Sequence, residues 1–149
     1  MNAATFDLPI LDPRGNEIAE ADGILFGIPS RYGVMAAQLK TFFDGLGGHW
    51  SKGSLIGKPA GIFFSSGQQH GGQETVALTT VVQFTHLGLV YVPLGYSNPI
   101  LFDTTEIIGG SQYGSGTIAG NGTRQPSEKE LALAHHHGES FAKFVNRLQ

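Results

Sequence analysis

Apolar residues along the chain fall into two kinds of pattern. Three runs are short, continuous and unalternating: Gly23-Ile24-Leu25-Phe26-Gly27-Ile28, halted by Pro29; Pro59 to Phe64, preceded by Lys58; and Leu89-Val90-Tyr91-Val92, closed by Pro93. Such runs read as strands buried on both faces, the pattern of a parallel sheet, and predict strands over 23–28, 59–64 and 89–93. Between and after them the spacing turns helical. Met35, Leu39, Phe42 and Phe43 share one face of a helix over 35–45, ended by Gly45, Gly47 and Gly48. A second helix is predicted over 73–87, stopped by Gly88, and a third over 128–148, opened by the capping box Ser127 with Glu130. Residues 94–124 are glycine-rich without periodicity and predict a long loop, a type that is usually functional when ordered.

The order strand, helix, strand, helix, strand, loop, helix defines an α/β class with right-handed crossovers, and ligands are expected at the carboxyl ends of the strands. Pro29 to Gly33, Ser65 to Gly72 and the loop after Pro93 all fall at that edge. The 149 residues fit one domain, and a hydrophobic content of 40% with ten Phe supplies its core. Glycine supplies 22 residues, whereas charged residues make up only 14%. A net charge of -3 gives no electrostatic footprint for nucleic acid. No apolar stretch approaches the ~18 residues of a membrane span, and no targeting segment is recognisable, so a soluble, cytoplasmic protein is expected. With no cysteine, thiol nucleophiles, disulfides and thiolate metal sites are excluded.

Candidate chemistry narrows further by elimination. Gly57-Lys58 is followed by Pro59 instead of Ser or Thr, which removes a P-loop, and Gly114 to Gly120 has one residue too many for a dinucleotide fingerprint. His135-His136-His137 fan out by ~100° each on a helix and cannot converge on one ion, so a solvated face is expected and no metal. There is no Gly-x-Ser-x-Gly elbow, and His137-Gly138-Glu139 lacks the partner cysteines of a zinc deaminase. His70 stands in a strand-to-helix turn and His86 at a helix end; each alone reads more readily as structural. Trp50 in Gly47-Gly48-His49-Trp50-Ser51 is either a core anchor or one wall of a flat pocket.

Several separated blocks then resemble one family in order: Phe26-Gly27-Ile28-Pro29-Ser30-Arg31-Tyr32-Gly33, Gly47-Gly48-His49-Trp50, Ser65-Ser66-Gly67 with Gly71-Gly72-Gln73-Glu74, Gly109 to Gly114, and Ile118 to Ser127. Over about residues 21–148 the chain resembles the WrbA-type NAD(P)H:quinone oxidoreductases, FMN enzymes of flavodoxin-like fold. The resemblance implies that Ser30, Arg31 and Tyr32 line the flavin ring, that Ser65, Ser66, Gly67, Gln68, Gln69 and Gly71 wrap it, and that His86 approaches from the side, often from a neighbouring subunit. It implies that Trp50 is the wall against which nicotinamide or quinone stacks, and that the long glycine loop packs subunits into a homotetramer, a dimer of dimers. NAD(P)H is the implied co-substrate and a quinone the implied electron acceptor. Arg31, Ser66, Gly67, His86 and Trp50 should cluster, and Arg31 should lie within ~15 Å of the Ser65 to Gly71 turn if one buried ligand spans them.

The family's first two strands, and the Ser-x-Tyr/Thr-Gly turn that holds the FMN phosphate at the head of its first helix, have no counterpart in the resemblance; Asp7 to Asp12 resemble the end of its spacer. The expected sheet is therefore doubly wound and flavodoxin-like but lacks those two strands, leaving an apolar edge along Ile24 to Ile28. FMN binding is expected to be weak, since losing two charge-assisted donors costs about 3–6 kcal/mol. The competing reading is a non-catalytic flavodoxin-like fragment or interaction module.

Overall fold

The computed structural model describes residues 15–149; the spacer reading of Asp7 to Asp12 lies outside them. All strand pairing in its sheet is parallel. β1 (Ile24–Pro29) pairs along its length with β2 (Pro59–Ser66), from Ile24 opposite Ala60 to Pro29 opposite Ser65. On its other side β2 carries two short strands in tandem. β3 (Val90–Tyr91) pairs with its amino end, and β4 (Gly116–Ile118) pairs with its carboxyl end through Phe64, Ser65 and Ser66.

This register puts Phe26, Ile28, Ile62 and Phe64 on one face, because side chains alternate along a strand. Phe26 meets Phe43 of α2 (Ala37–Gly45) at 5.3 Å between ring centroids and Phe84 of α4 (Gln73–Leu87) at 5.2 Å. Val76 and Ala77 of α4 complete that layer. The opposite face is covered by α5 (Glu128–Asn146), and Gly61 makes this possible: a Cβ there would sit 3.3 Å from the Phe141 ring and 2.5 Å from Leu25 Cδ2. Helices therefore flank the sheet on both sides, as the sequence pattern predicts.

Four differences from the sequence expectation have physical causes. First, β1 is buried on one face only: Phe26 and Ile28 point into the core, while Gly27 and Pro29 are exposed. Among the described residues β1 is nonetheless the edge strand, as expected, and its partly buried Ile24 and Leu25 lie along that unpaired edge. Second, the glycines after α2 do not end helical structure. A short α3 (Gly47–Lys52) follows, begun by bonds from His49 and Trp50 N–H to Leu46 C=O at 2.9 Å. α1 (Asn16–Glu20) was equally unpredicted, being one turn long.

Third, the long loop contains a 3-10 turn at Pro99–Phe102 and all of β4. Three residues are too few to show a period of two. Fourth, the triple histidine is not a solvated face. His135 is exposed and His136 half-buried against Ser97 Oγ at 2.8 Å, but His137 is buried, its Nδ1 facing Ser115 Oγ at 3.0 Å while Nε2 has no partner among the described residues.

Burial, with the neighbouring His136 second, lowers the His137 pKa below its ordinary 6.5. The unfolded chain then binds this proton at higher pH than the folded one, so stability is complete above about pH 6.5 and falls as the solution is acidified through that value. In His137→Gln the part of the stability slope that lies below pH 6.5 and belongs to this residue should vanish. Urea unfolding at pH 7.5, 6.5 and 5.5 measures it.

Candidate functional site

Two loops leave the carboxyl ends of β1 and β2 and lie directly against each other. Ser30 N–H donates to Ser65 C=O at 2.7 Å, continuing the ladder by one step, and Ser30 Oγ donates to Gly71 C=O at 2.6 Å. A Cβ on Gly72 would lie 2.7 Å from Gly33 Cα, so glycine is required where the loops cross. The separation of Arg31 from the Ser65 to Gly71 turn is thus a matter of neighbouring residues, far inside the ~15 Å limit.

The first loop is a two-residue reversal. Arg31 and Val34 exchange both backbone hydrogen bonds, at 2.8 and 3.1 Å, with Tyr32 and Gly33 at φ 54° and 81° between them. Positive φ at both central positions is the geometry of a type I′ turn, and it is uncommon for tyrosine. Among the described residues Tyr32 is the only non-glycine in that region, and its ring is wholly exposed. A strained backbone that holds an aromatic ring in water is what a stacking surface requires. Arg31 is exposed, with Nη1 donating to Ser30 C=O at 2.9 Å.

The second loop is an arc of free donors. Among the described residues, the backbone N–H groups of Gly67, Gln68, Gln69 and His70 find no acceptor, whereas Gly71 N–H returns to Gln68 C=O at 3.0 Å. Between the loops lies a cleft of ≈ 460 Å³ lined by Ser30, Tyr32, Gly33, Gly67, Gln68, His70, Gly71 and Gly72. A second cleft of ≈ 490 Å³ is lined by Gln69 and Glu74 together with Ile100, Asp103 and Ile107 of the long loop. The donor set fits a flavin ring: N5, O4 and O2 are acceptors along one edge of a flat heterocycle, which N–H groups and a guanidinium suit, while the exposed Tyr32 ring suits its face.

Nine of the residues inferred from the sequence therefore stand together: Ser30, Arg31, Tyr32, Ser65, Ser66, Gly67, Gln68, Gln69 and Gly71. Trp50 and His86 do not join them within one chain. His86 is exposed in the last turn of α4, thirteen residues beyond Gln73, or ~20 Å along the helix axis. Trp50, also exposed, sits on α3 among the segments that flank the amino ends of the strands. There Leu46 packs where a Gly15 Cβ would fall, and Gly57 N–H bonds Gly88 C=O at 2.8 Å. The two crossovers, α2 with α3 and α4, carry Trp50 and His86 away from the strand ends that hold the cleft.

His70, whose place in a strand-to-helix turn reads by itself as structural, lines the cleft, and Gln73, not singled out from the sequence, anchors it. Gln73 Nε2 donates to Ser66 Oγ and to Thr117 C=O, both at 2.9 Å, and Gly110 N–H donates to Gln73 Oε1 at 2.8 Å. Its position inside the Gly71 to Glu74 block was the only signal.

Layers of helix on both faces of a parallel sheet, with a cleft at the carboxyl ends of adjacent strands, define a flavodoxin-like α/β fold. Its structural relatives agree. A WrbA-like flavodoxin of Agrobacterium tumefaciens superposes with a TM-score of 0.69 at 21% identity, over 88% of this chain and 70% of that one. The model of the NADPH-dependent FMN reductase family matches residues 9–98. Quinone-oxidoreductase QR2 of Triphysaria versicolor is 52% identical over 145 residues, 96% of this chain and 70% of its own length. The probable NAD(P)H dehydrogenase (quinone) FQR1-like 2 of Arabidopsis thaliana is 50% identical over 99% of this chain, which spans 55% of that relative. The chain belongs to the NADPH-dependent FMN reductase family, in its NAD(P)H:quinone oxidoreductase branch.

No helix among the described residues is long and apolar enough to cross a membrane.

Proposed function

We propose that this single domain is an FMN-dependent NAD(P)H:quinone oxidoreductase that takes a hydride from NAD(P)H and passes two electrons to a quinone. The observation that carries the reading is the arc of unpaired N–H groups at Gly67 to His70, held against the Tyr32 turn by the Ser30 to Gly71 hydrogen bond. When bound, the flavin ring supplies the redox chemistry, accepting hydride and releasing electrons. The turn amides would hold the ring by its acceptor edge, Arg31 would offset the negative charge of the reduced ring, and the exposed Tyr32 ring would screen one side from water.

Trp50 and His86 are assigned to the site of a neighbouring subunit in a homo-oligomer, a dimer of dimers. Both are exposed at the far end of their own chain, which supports that assignment, as do the exposed Leu78 and Val82 on the same stretch of α4 as His86 and the stacked, exposed Tyr96 and Phe102 of the long loop. Every donor identified above would meet the ring, which FMN and riboflavin share. This chain should therefore bind FMN weakly and prefer it to riboflavin by less than about tenfold; paired fluorescence titrations check this.

The activity itself is tested by following NAD(P)H oxidation anaerobically with FMN and a short-chain benzoquinone. Consumption that requires protein, FMN and quinone together is expected. Consumption indifferent to FMN, or none with flavin at saturation, would contradict the assignment and favour an interaction module.

A further inference from the structure

We propose that Gln73 is a positioning residue that aims the Gln69 N–H at the flavin through a relay, Gln73 amide to Ser66 hydroxyl to Gln68 carbonyl; this rests on the flavin reading above. The relay has a fixed direction. Gly110 N–H can only donate and Thr117 C=O can only accept, so the Gln73 amide is oriented unambiguously, with Oε1 toward Gly110 and Nε2 toward Thr117 and Ser66. Ser66 is buried, and its oxygen accepts from Nε2, which commits the Ser66 proton to Gln68 C=O at 2.7 Å.

Gly71 N–H supplies that carbonyl with a second donor at 3.0 Å. A carbonyl held by two donors fixes the plane of the peptide joining Gln68 to Gln69. In a trans peptide the N–H points opposite to the C=O. The Gln69 N–H is thereby turned away from Ser66 and Gly71 and outward, without an acceptor of its own. No other side chain among the described residues ties this turn to β4 and to the Gly109 to Ser111 loop at once. Such chained hydrogen bonds reinforce one another in a low-dielectric setting.

Gln73→Glu separates this role from plain support. The carboxylate keeps an acceptor for Gly110 N–H but offers Ser66 lone pairs in place of a donor, so the Ser66 proton swings to residue 73 and Gln68 C=O loses it. FMN dissociation constants, read by flavin fluorescence well below each melting temperature, should rise about tenfold in Gln73→Glu and in Ser66→Ala, the worth of one net hydrogen bond. The double variant should bind no more weakly than Ser66→Ala, because the relay is already cut. Gln73→Met, similar in length and without either polar group, leaves the Ser66 proton on Gln68 C=O and should weaken FMN binding less than Gln73→Glu; Ser66→Ala carries the test if the carboxylate prevents folding. Dissociation constants within about twofold of wild type in Gln73→Glu and Ser66→Ala, or effects that multiply in the double variant, would overturn the relay. Wild-type protein that binds no FMN would instead sink the flavin reading on which it depends.

Discussion

Glu130→Ala should cost about 3–5 kcal/mol of folding stability, because it leaves buried backbone donors and the Arg124 cation without their carboxylate. Glu130 is buried at the third position of α5 and holds both halves of the long loop. Its Oε1 accepts from Gly109 N–H at 2.8 Å and Ile118 N–H at 3.2 Å; its Oε2 accepts from Thr117 Oγ1 at 2.9 Å and Ser127 N–H at 2.8 Å. Arg124 Nη1 reaches Oε2 at 2.8 Å and also donates to Ile118 C=O at 2.7 Å. Burial alone would raise the Glu130 pKa, and it is the largest single influence. The Arg124 bond and the backbone donors together outweigh it, and the carboxyl titrates below its ordinary 4.5. A lowered carboxylate pKa contributes stability that is full above 4.5 and is lost as pH falls below that value. Chemical denaturation at pH 7 should show the whole difference between wild type and Glu130→Ala, and that difference should shrink as pH falls below 4.5.

Gly114→Ala should be nearly as damaging, at about 3 kcal/mol or more, for a steric reason. A Cβ on Gly114 would fall 1.8 Å from Ile62 C=O, a backbone atom in the middle of β2 that cannot give way. Gly114 closes the Ser111 to Gly114 reversal just before β4, and Phe64 N–H bonds Ser115 C=O at 3.0 Å in the next step. Pushing this reversal outward detaches β4 from β2 and withdraws Thr117 C=O from Gln73. Loss of stability should therefore come with weakened FMN binding. A thermal melt together with an FMN titration of Gly114→Ala checks both; an unchanged melting temperature would show that β4 does not dock on β2 in this way.

The sheet was legible because β1, β2 and the helices α4 and α5 are long enough for their apolar spacing to register. Ser127 and Glu130 announced the start of α5 through local chemistry, yet the same carboxylate's grip on Gly109, Ile118 and Arg124 joins positions that only the fold brings together. β4 stayed hidden because three residues among glycines carry no period, and α3 because glycines read as stops can form a single turn when Leu46 supplies the carbonyl. The loops that build the cleft were recognisable from their residues and their places after strands. Trp50 and His86 were recognisable only by resemblance, and one chain's geometry sends both to the other end of the sheet.

Amide resonances of the turn give the most direct test of the central claim that these two loops grip a flavin ring. Addition of FMN to nitrogen-15-labelled protein should shift the Gly67, Gln68, Gln69 and His70 amides together with Tyr32 and Gly33, along one common saturation curve. Shifts confined to other parts of the chain, such as Ser140 to Arg147 at the end of α5, or none at millimolar flavin, would contradict it.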